Sequence, residues 1–347
     1  MKLANLKLFE ATKELTPEQL VDQLHKKCGD AVKLYQGLNE KGEALYRGIK
    51  PGEFDFKIEK TRKNRNPRDS QKLAHTLFNK GLMQFGNIKW RSSTVFTSLD
   101  SSVAADYGEV FIVFPVGNFQ MLQSKQIADM YSKLDPNSSG FNHVYHIFEN
   151  RYASGGITAV DAIEHVIEMD EFKQIADMFV NVATAVIGTN KATELRKILS
   201  DIKPRDTWWF IDLMKECAKI YYGYTDYLDN ETMTYTARGE YIFPIHEIRE
   251  KVFNSDYEND TLNKMTMIVT IYSNMIKTAQ FKALAKSLYI KLMEFFFSKT
   301  MTYVTDPNVS SVSELNIKNE IMIACDSYYL IEHDYYVREI KPLLFGK

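Results

Sequence analysis

A short apolar run near the start of the chain holds an arginine, Arg47, directly before a glycine, Gly48. Residues 44–49 around them predict a β-strand. An arginine inside such a strand is costly to bury unless it meets an anion, and its planar fork of donors suits phosphate. The glycine would let a ligand approach the backbone closely. These residue types indicate a phosphate-binding strand, with an exposed arginine at a sheet edge as the alternative.

A second segment, residues 90–98, alternates polar and apolar side chains and predicts another strand. Because successive side chains of a strand point to opposite faces, one face would carry Ser92, Thr94, Phe96 and Ser98. Several hydroxyls beside one aromatic ring can bind the hydroxyls of a sugar and an amide while stacking on a ring. The alternative is a solvated strand face, on which serine and threonine are common.

The third segment begins with Glu320, which precedes the apolar run 321–325, a tight turn and a second apolar run, 328–331. This order predicts two strands joined as a hairpin, with the carboxylate pointing into a cleft at the end of the sheet. An acid facing water is the alternative. Glu240 also precedes a short apolar run, but no second strand follows it. We therefore prefer Glu320 as the functional acid.

These three segments, in this order, resemble the Arg–Ser–Glu pattern of the ADP-ribosyltransferase family. In that family an arginine ends the first core strand, a Ser/Thr-rich strand precedes a short helix, and a glutamate opens a late strand. Residues 95–107 are similar to the family's strand and helix, and residues 320–331 to its glutamate strand and hairpin. Residues 91–96, followed by 114–117, further resemble transferases of tailed bacteriophages.

The resemblance implies an enzyme that cleaves the nicotinamide–ribose bond of NAD, its co-substrate, and transfers ADP-ribose to a macromolecular acceptor. Breaking this bond develops positive charge on the sugar, which a fixed carboxylate stabilises. Glu320 would be that catalytic group and would also hold the ribose 2′-hydroxyl, while Arg47 would bind a phosphate. No metal is needed. The implied NAD-binding residues are Arg47, Ser92, Thr94, Phe96 and Ser98.

Two positions depart from the family pattern. Phe96 stands where the first serine of the family's triplet is expected, so Ser92 or Thr94 would take that role. Lys318 stands two residues before Glu320, where members that modify arginine carry Glu or Gln. This departure argues against an arginine acceptor. The alternative function is a catalytically silent protein that keeps the fold as a binding module or virion component.

Residues 57–72 are strongly basic, with seven lysines and arginines against two acids, and predict an exposed loop close to the proposed cleft. A protein is the favoured acceptor, and a nucleic acid is the other option, because phosphates would bind Arg62, Arg65 and Arg68. A simple solvated loop is the alternative interpretation of this segment.

The order of the predicted elements positions these three segments. Thr16 and Gln19 predict a capping box at the start of an N-terminal helix, and the apolar run 109–115 predicts a further strand. Strand patterns dominate both ends of the chain, and long helical patterns, including 161–187 and 262–297, dominate the middle. We therefore expect an α+β fold with a split ADP-ribosyltransferase-like β core and an inserted helical bundle. The expected parts are an N-terminal helical segment (1–43), the first part of the core (44–150), the helical insertion (151–300) and the closing strands (301–347).

Composition limits the surroundings in which the protein acts. The 347 residues carry a formal net charge of -2, so nucleic-acid binding would need a local basic patch. The three cysteines are far apart and match neither a disulfide framework nor a zinc finger. No apolar stretch reaches the roughly 20 residues that cross a bilayer. We expect a cytoplasmic protein without a membrane partner, in the host cytoplasm if the chain is of phage origin.

Overall fold

The computed structural model describes residues 15–39, 42–50, 52, 54–65, 72–124, 159–187, 189, 193, 196–197, 274–275, 277–313 and 315–346. The chain divides into two compact units. The first unit comprises Met1–Asp69, Leu82–Met130 and Thr300–Lys347, and the second comprises Ser70–Gly81 and Tyr131–Lys299. The protein mixes α-helices with two antiparallel sheets, in agreement with the α+β prediction.

The strands of the described ranges all belong to the first unit. They are β1 (Tyr46–Ile49), β2 (Phe56–Lys60), β3 (Val95–Thr97), β4 (Glu109–Pro115), β5 (Gln120–Ser124), β6 (Met301–Val304), β7 (Ile321–Ala324) and β8 (Ser327–Glu332). One sheet has the order β1-β4-β8-β2 and the other has the order β3-β7-β5-β6. Neighbouring strands are antiparallel throughout both sheets.

The helices with defined bounds in the described ranges belong to both units. They are α1 (Pro17–Lys27), α2 (Gly29–Asn39), α3 (Lys72–Leu82), α4 (Ser101–Ala105), α5 (Ala159–Glu168), α6 (Asp170–Ile187), α7 (Ala279–Thr300), α8 (Val309–Ser313), α9 (His333–Tyr335) and α10 (Lys341–Phe345). A π-helical turn over Tyr336–Ile340 joins the last two. Every helix in this part of the chain is too short or too polar to cross a membrane.

The core of the first unit lies between the two N-terminal helices and the sheets.

The predicted capping box of α1 is confirmed, since the side chains of Thr16 and Gln19 each accept a hydrogen bond from the other's backbone amide. In α2, the buried hydroxyl of Tyr35 donates to the carbonyl of Val113 in β4 and accepts from the amide of Leu45. This one side chain ties the helix to two neighbouring strands.

One isolated β-bridge connects the two sheets. The amide of Tyr46 in β1 donates to the carbonyl of Ser98 at 2.7 Å, and the amide of Ser98 donates back to the carbonyl of Tyr46 at 2.9 Å. Ser98 directly follows β3, so this bridge places the end of β3 beside β1. The strand that carries Arg47 and the hydroxyl-rich segment 90–98 therefore meet where the two sheets join.

The predicted hairpin after Glu320 is wrong, although both of its strands form. β7 lies between β3 and β5 in one sheet, whereas β8 lies between β4 and β2 in the other. Because both edges of each strand are already paired, the two have no edge left for each other. The connection at Cys325 and Asp326 instead carries the chain from one sheet to the other, and the amide of Thr61 donates to the Asp326 carbonyl at 2.9 Å.

The predicted strand over residues 90–98 is also too long, since only Val95–Thr97 forms β3. Before it, the chain makes turns in which the amides of Ser92 and Ser93 donate to the carbonyl of Lys89. Trp90 is fully buried and donates its indole N–H to the carbonyl of Phe85 at 2.8 Å. Because the buried indole N–H needs this hydrogen-bond acceptor, a turn forms at the start of the segment instead of a strand.

The basic segment 57–72 is only partly a loop. Residues up to Lys60 belong to β2, which pairs with β8 along its length, and Lys72 begins α3. Thr61 to Arg65 are irregular, and residues 66–71 lie outside the described part of the chain. β2 does not follow the usual alternation of a strand, because its exposed residues are Ile58 and Lys60, whereas the charged residues Lys57 and Glu59 are half-buried.

The described part of the second unit is helical. The single helix predicted over 161–187 is two helices, α5 and α6, which separate at Met169. A helix predicted over 262–297 is described from 279, where the hydroxyl of Thr278 accepts from the amide of Phe281 and caps the start of α7. Glu240 and the short strand predicted after it lie outside the described residues.

Candidate active site

Three strand ends meet where the two sheets join, and each carries one of the predicted functional residues. Arg47 follows the bridge residue Tyr46 in β1. In the other sheet, Thr97 of β3 pairs with Ile321 of β7, and the same antiparallel register sets the next residue of β3 across from Glu320. The pairing of backbones therefore brings together an arginine, a serine and a glutamate that are far apart in the sequence.

A cavity of about 190 Å³ opens at this junction. Arg47, Phe96, Ser98 and Glu320, four of the six residues predicted for the site, line it. Its wall also contains Arg65, Arg91, Thr97 and Tyr107. The cavity therefore combines carboxylate, guanidinium, hydroxyl and aromatic groups within the first unit.

Glu320 is held by an arginine that the sequence analysis did not assign to the site. Its carboxylate forms an ion pair with the guanidinium of Arg91, and the side chain of Arg91 is only 13% exposed. The same guanidinium lies over Phe96, 4.7 Å from the centroid of the ring. An arginine restrained by both contacts fixes the carboxylate at the cavity wall.

Arg47 has a buried donor that points to a ligand. Among the described residues its Nε atom is buried and has no hydrogen-bond partner. Its guanidinium lies 5.9 Å from the centroid of the Tyr328 ring. Because buried donors are normally satisfied, this arginine is suited to an acceptor supplied from outside the protein, such as a phosphate oxygen.

Gly48 does not serve the role predicted for it. A Cβ atom at this position would lie 1.9 Å from the carbonyl oxygen of Ala104 and 2.9 Å from the Cβ atom of Tyr107. The glycine therefore admits α4 and the residues after it, rather than a ligand. The close approach of α4 to β1 places Tyr107 at the cavity wall, where the residue is 67% exposed.

The predicted hydroxyl face is divided among different roles. Ser98 lines the cavity, but its hydroxyl donates to the carbonyl of Ile317 at 3.0 Å and accepts from the amide of Asp100 at 3.1 Å. It thereby fixes the loop that leads to Glu320. The hydroxyl of Thr94 donates to the carbonyl of Trp90.

Ser92 lines neither this cavity nor the adjoining one. The prediction that it shares a face with Phe96 fails, because it precedes the strand. Thr94 lines only the adjoining cavity. Of the hydroxyl residues proposed to position the substrate, Ser98 is the one that stands at the wall beside Glu320.

The adjoining cavity measures about 380 Å³ and shares Arg47, Gly48, Arg65 and Tyr107 with the first. Its further walls come from β1, β2 and the segment after β2, and include Lys50, Glu59, Thr61, Arg62 and Tyr328. The two cavities therefore adjoin each other, with Arg47 and Arg65 in the walls of both, and we refer to them together as the cleft.

Arg65 connects the basic segment to the cleft. Its backbone amide donates to the carbonyl of Ser92 at 3.0 Å, and its guanidinium lies 4.7 Å from the centroid of the Phe96 ring. Burial lowers the pKa of Arg65, and the nearby charges of Arg47 and Arg91 lower it further. Arg62 lies on the second cavity wall, whereas Arg68 is outside the described residues.

Glu59 is the acid of the second cavity, and its charge is already engaged. It accepts a hydrogen bond from the hydroxyl of Tyr328 at 2.7 Å and forms an ion pair with Lys57 at 2.7 Å. Burial opposes its ionisation, but these hydrogen bonds and the charges of Lys57 and Arg47 hold the pKa of Glu59 below its usual value. The carboxylate is therefore ionised near neutral pH.

Sequence reasoning missed Arg91, Tyr107, Tyr328 and Glu59. Arg91 could have been found from the sequence, because it lies in the hydroxyl-rich segment that was already assigned to the site. A partly buried glutamate such as Glu320 also favours a cation nearby. The others depend on which strands pair. In the described ranges, no three histidine, cysteine, aspartate or glutamate side chains are grouped to hold a metal ion.

Comparison with known proteins adds no assignment. No protein-family model, no curated protein and no solved structure matches this chain.

Proposed function

We propose that this protein is an NAD-dependent ADP-ribosyltransferase with a split transferase-like β core. The observation that supports this most is the placement of Arg47, Ser98 and Glu320, residues from three distant sequence segments, on the wall of one cavity. They supply the arginine, a hydroxyl group and the glutamate of the Arg–Ser–Glu pattern, with Ser98 at the wall in place of the expected Ser92 or Thr94. The connection of the two sheets through Tyr46 and Ser98 gives the pattern a structural basis.

The chemistry follows from the carboxylate. Cleavage breaks the bond between C1′ of the ribose and the ring nitrogen of nicotinamide, and the electron pair leaves with the ring, which becomes neutral. Glu320 stabilises the positive charge that develops on the sugar. An oxygen or nitrogen of the acceptor then forms a bond to C1′ and loses its proton to the solvent or to this carboxylate. Water as acceptor would give hydrolysis.

The walls of the cleft suit the parts of NAD. The unsatisfied Nε atom of Arg47 is available to a pyrophosphate oxygen. Phe96 was expected to stack on a ring of NAD, but the guanidinium groups of Arg65 and Arg91 already lie over it. Phe96 therefore holds these two arginines in place instead.

The ion pair between Arg91 and Glu320 favours a second candidate, a catalytically silent binding module. A carboxylate that is already neutralised by a guanidinium has less charge to offer a developing cation. In that case the cleft would bind a nucleotide without cleaving it.

Nicotinamide release from NAD, measured by chromatography, separates the two functions. We expect release by the wild type, a loss of several orders of magnitude in Glu320→Gln, and no change in Glu339→Gln, a matched change at an exposed glutamate. Binding of NAD without any release by the wild type would establish the silent module. Equal release by wild type and Glu320→Gln would show that a different acid acts.

A further inference from the structure

Cations outnumber carboxylates among the described residues that line the second cavity. Arg47, Lys50, Arg62 and Arg65 line it, and Glu59 is the carboxylate among its lining residues. That carboxylate is already engaged by Lys57 and Tyr328. Arg47 is half-buried, whereas Lys50, Arg62 and Arg65 are exposed. Like charges gathered around one cavity repel one another and favour an anion that binds among them.

Two of these arginines are held in place by aromatic rings. The guanidinium of Arg65 lies over Phe96 at 4.7 Å, and that of Arg47 lies 5.9 Å from the centroid of Tyr328. Their donors are therefore arranged before any ligand binds, which reduces the entropy lost on binding.

A single dinucleotide does not account for this charge. The pyrophosphate of NAD carries two negative charges, and its nicotinamide ring carries one positive charge. Besides Arg47, which the proposed function assigns to NAD, the second cavity is lined by Lys50, Arg62 and Arg65. Exposed cations continue beyond the cavity at Lys60 and Lys63, along the end of β2 and the segment after it. A charged surface that extends past one phosphate suits a polymer of phosphates.

An exposed aromatic side chain stands beside these cations. Tyr107 lines both cavities, and the residue is 67% exposed. Aromatic rings next to a basic groove bind single-stranded nucleic acids, because unpaired bases stack on the ring while arginines and lysines contact the backbone. An acidic peptide would bind the arginines but would bring no base to stack on the exposed Tyr107.

We propose that the second cavity binds a phosphodiester of a single-stranded nucleic acid, and that this polymer is the acceptor. The acceptor role rests on the proposed transferase function, whereas the binding does not. With a phosphate at Arg62 and Arg65 and a base on Tyr107, an amine or hydroxyl of the nucleotide reaches the first cavity. There it forms a bond to C1′ and loses one proton, while nicotinamide leaves with the electron pair of the broken bond.

Fluorescence anisotropy without NAD tests the binding. The probes are single-stranded DNA and RNA oligonucleotides of about 12 nucleotides, a length within the usual range of such sites, and a duplex of the same sequence. We expect single strands to bind more tightly than the duplex. Arg62→Ser should weaken binding about tenfold and reduce the slope of log K against log salt by about one. The matched control Arg338→Ser, at an exposed arginine paired with Glu339, should bind like the wild type.

Three outcomes would overturn the proposal. Equal affinity of Arg62→Ser, Arg338→Ser and wild type would remove the second cavity from the binding site. Equally tight binding of a polyglutamate peptide would favour a protein acceptor. Displacement of the oligonucleotide by saturating ADP-ribose would assign the cavity to the dinucleotide. Failure of the transferase function is recognised separately, because it appears as NAD that is not cleaved while oligonucleotides still bind.

Discussion

The carboxylate of Glu320 and the guanidinium of Arg91 form an ion pair across a distance of 229 positions in the sequence. Arg91 also lies over the ring of Phe96, so its orientation is set before the carboxylate binds it. The pair gives Glu320 one defined position at the cavity wall. Because the two residues are in direct contact, the effects of substituting them are not additive.

We predict that Arg91→Lys lowers kcat for nicotinamide release about tenfold and leaves KM for NAD nearly unchanged. Lysine keeps the charge but loses the planar contact with Phe96, so the carboxylate is less well oriented. Steady-state kinetics measure both constants. Addition of guanidinium ion to Arg91→Ala should restore part of the lost turnover. A raised KM with an unchanged kcat would instead make Arg91 a substrate-binding residue.

Arg47→Lys should weaken NAD binding about tenfold, which corresponds to the loss of roughly one charge-assisted hydrogen bond. The charge remains, but lysine cannot reproduce the fork of donors that suits phosphate. Isothermal titration calorimetry measures the affinity, and thermal unfolding should shift little. Arg338→Lys, at a surface arginine, is the matched control. Unchanged NAD affinity in Arg47→Lys would exclude this arginine from the site.

Gly48→Ala should reduce the free energy of unfolding by about 2 kcal/mol, because its Cβ atom would overlap the backbone of α4. The obstacle is the carbonyl of Ala104, which cannot move without shifting the helix. Gly29→Ala is the control, since a Cβ atom there has no neighbour within 4 Å. Urea unfolding measures both variants. Equal stability of the two would mean that α4 is not packed against β1 as described.

Glu59 should make the stability of the first unit depend on pH. Its pKa is lower in the folded protein than in the unfolded chain, where about 4.3 is usual. Its contribution is therefore present above that value and is lost as pH falls through the folded pKa. The difference in unfolding free energy between wild type and Glu59→Gln should be largest near pH 7 and should shrink below about pH 4. Chemical unfolding across this range, with Glu339→Gln as control, checks it.

The sequence alone predicted the elements that depend only on residues close to one another in the chain. The capping box of α1 needs only Thr16 and Gln19, and both of its hydrogen bonds form. β4 was predicted with its observed bounds, because an uninterrupted run of large apolar residues is buried from Phe111 to Pro115 in the middle of a sheet.

The errors arose where partners distant in sequence decide the structure. The runs 321–324 and 327–332 look like a hairpin, but which strand pairs with which depends on edges contributed by β3, β4 and β5. Burial of Trp90 similarly turned the predicted start of a strand into a turn. The site residues on strand ends were predictable from their neighbours in sequence, whereas Tyr107 and Tyr328 enter the cleft only through tertiary packing.

The pairing of Ser124 in β5 with Met301 in β6 has a consequence for how this chain tolerates change. The two residues that bound the stretch 125–300 therefore face each other in one antiparallel ladder. Because this ladder fixes both ends of the stretch, changes in its length or sequence need not shift the strand register that positions Arg47, Ser98 and Glu320.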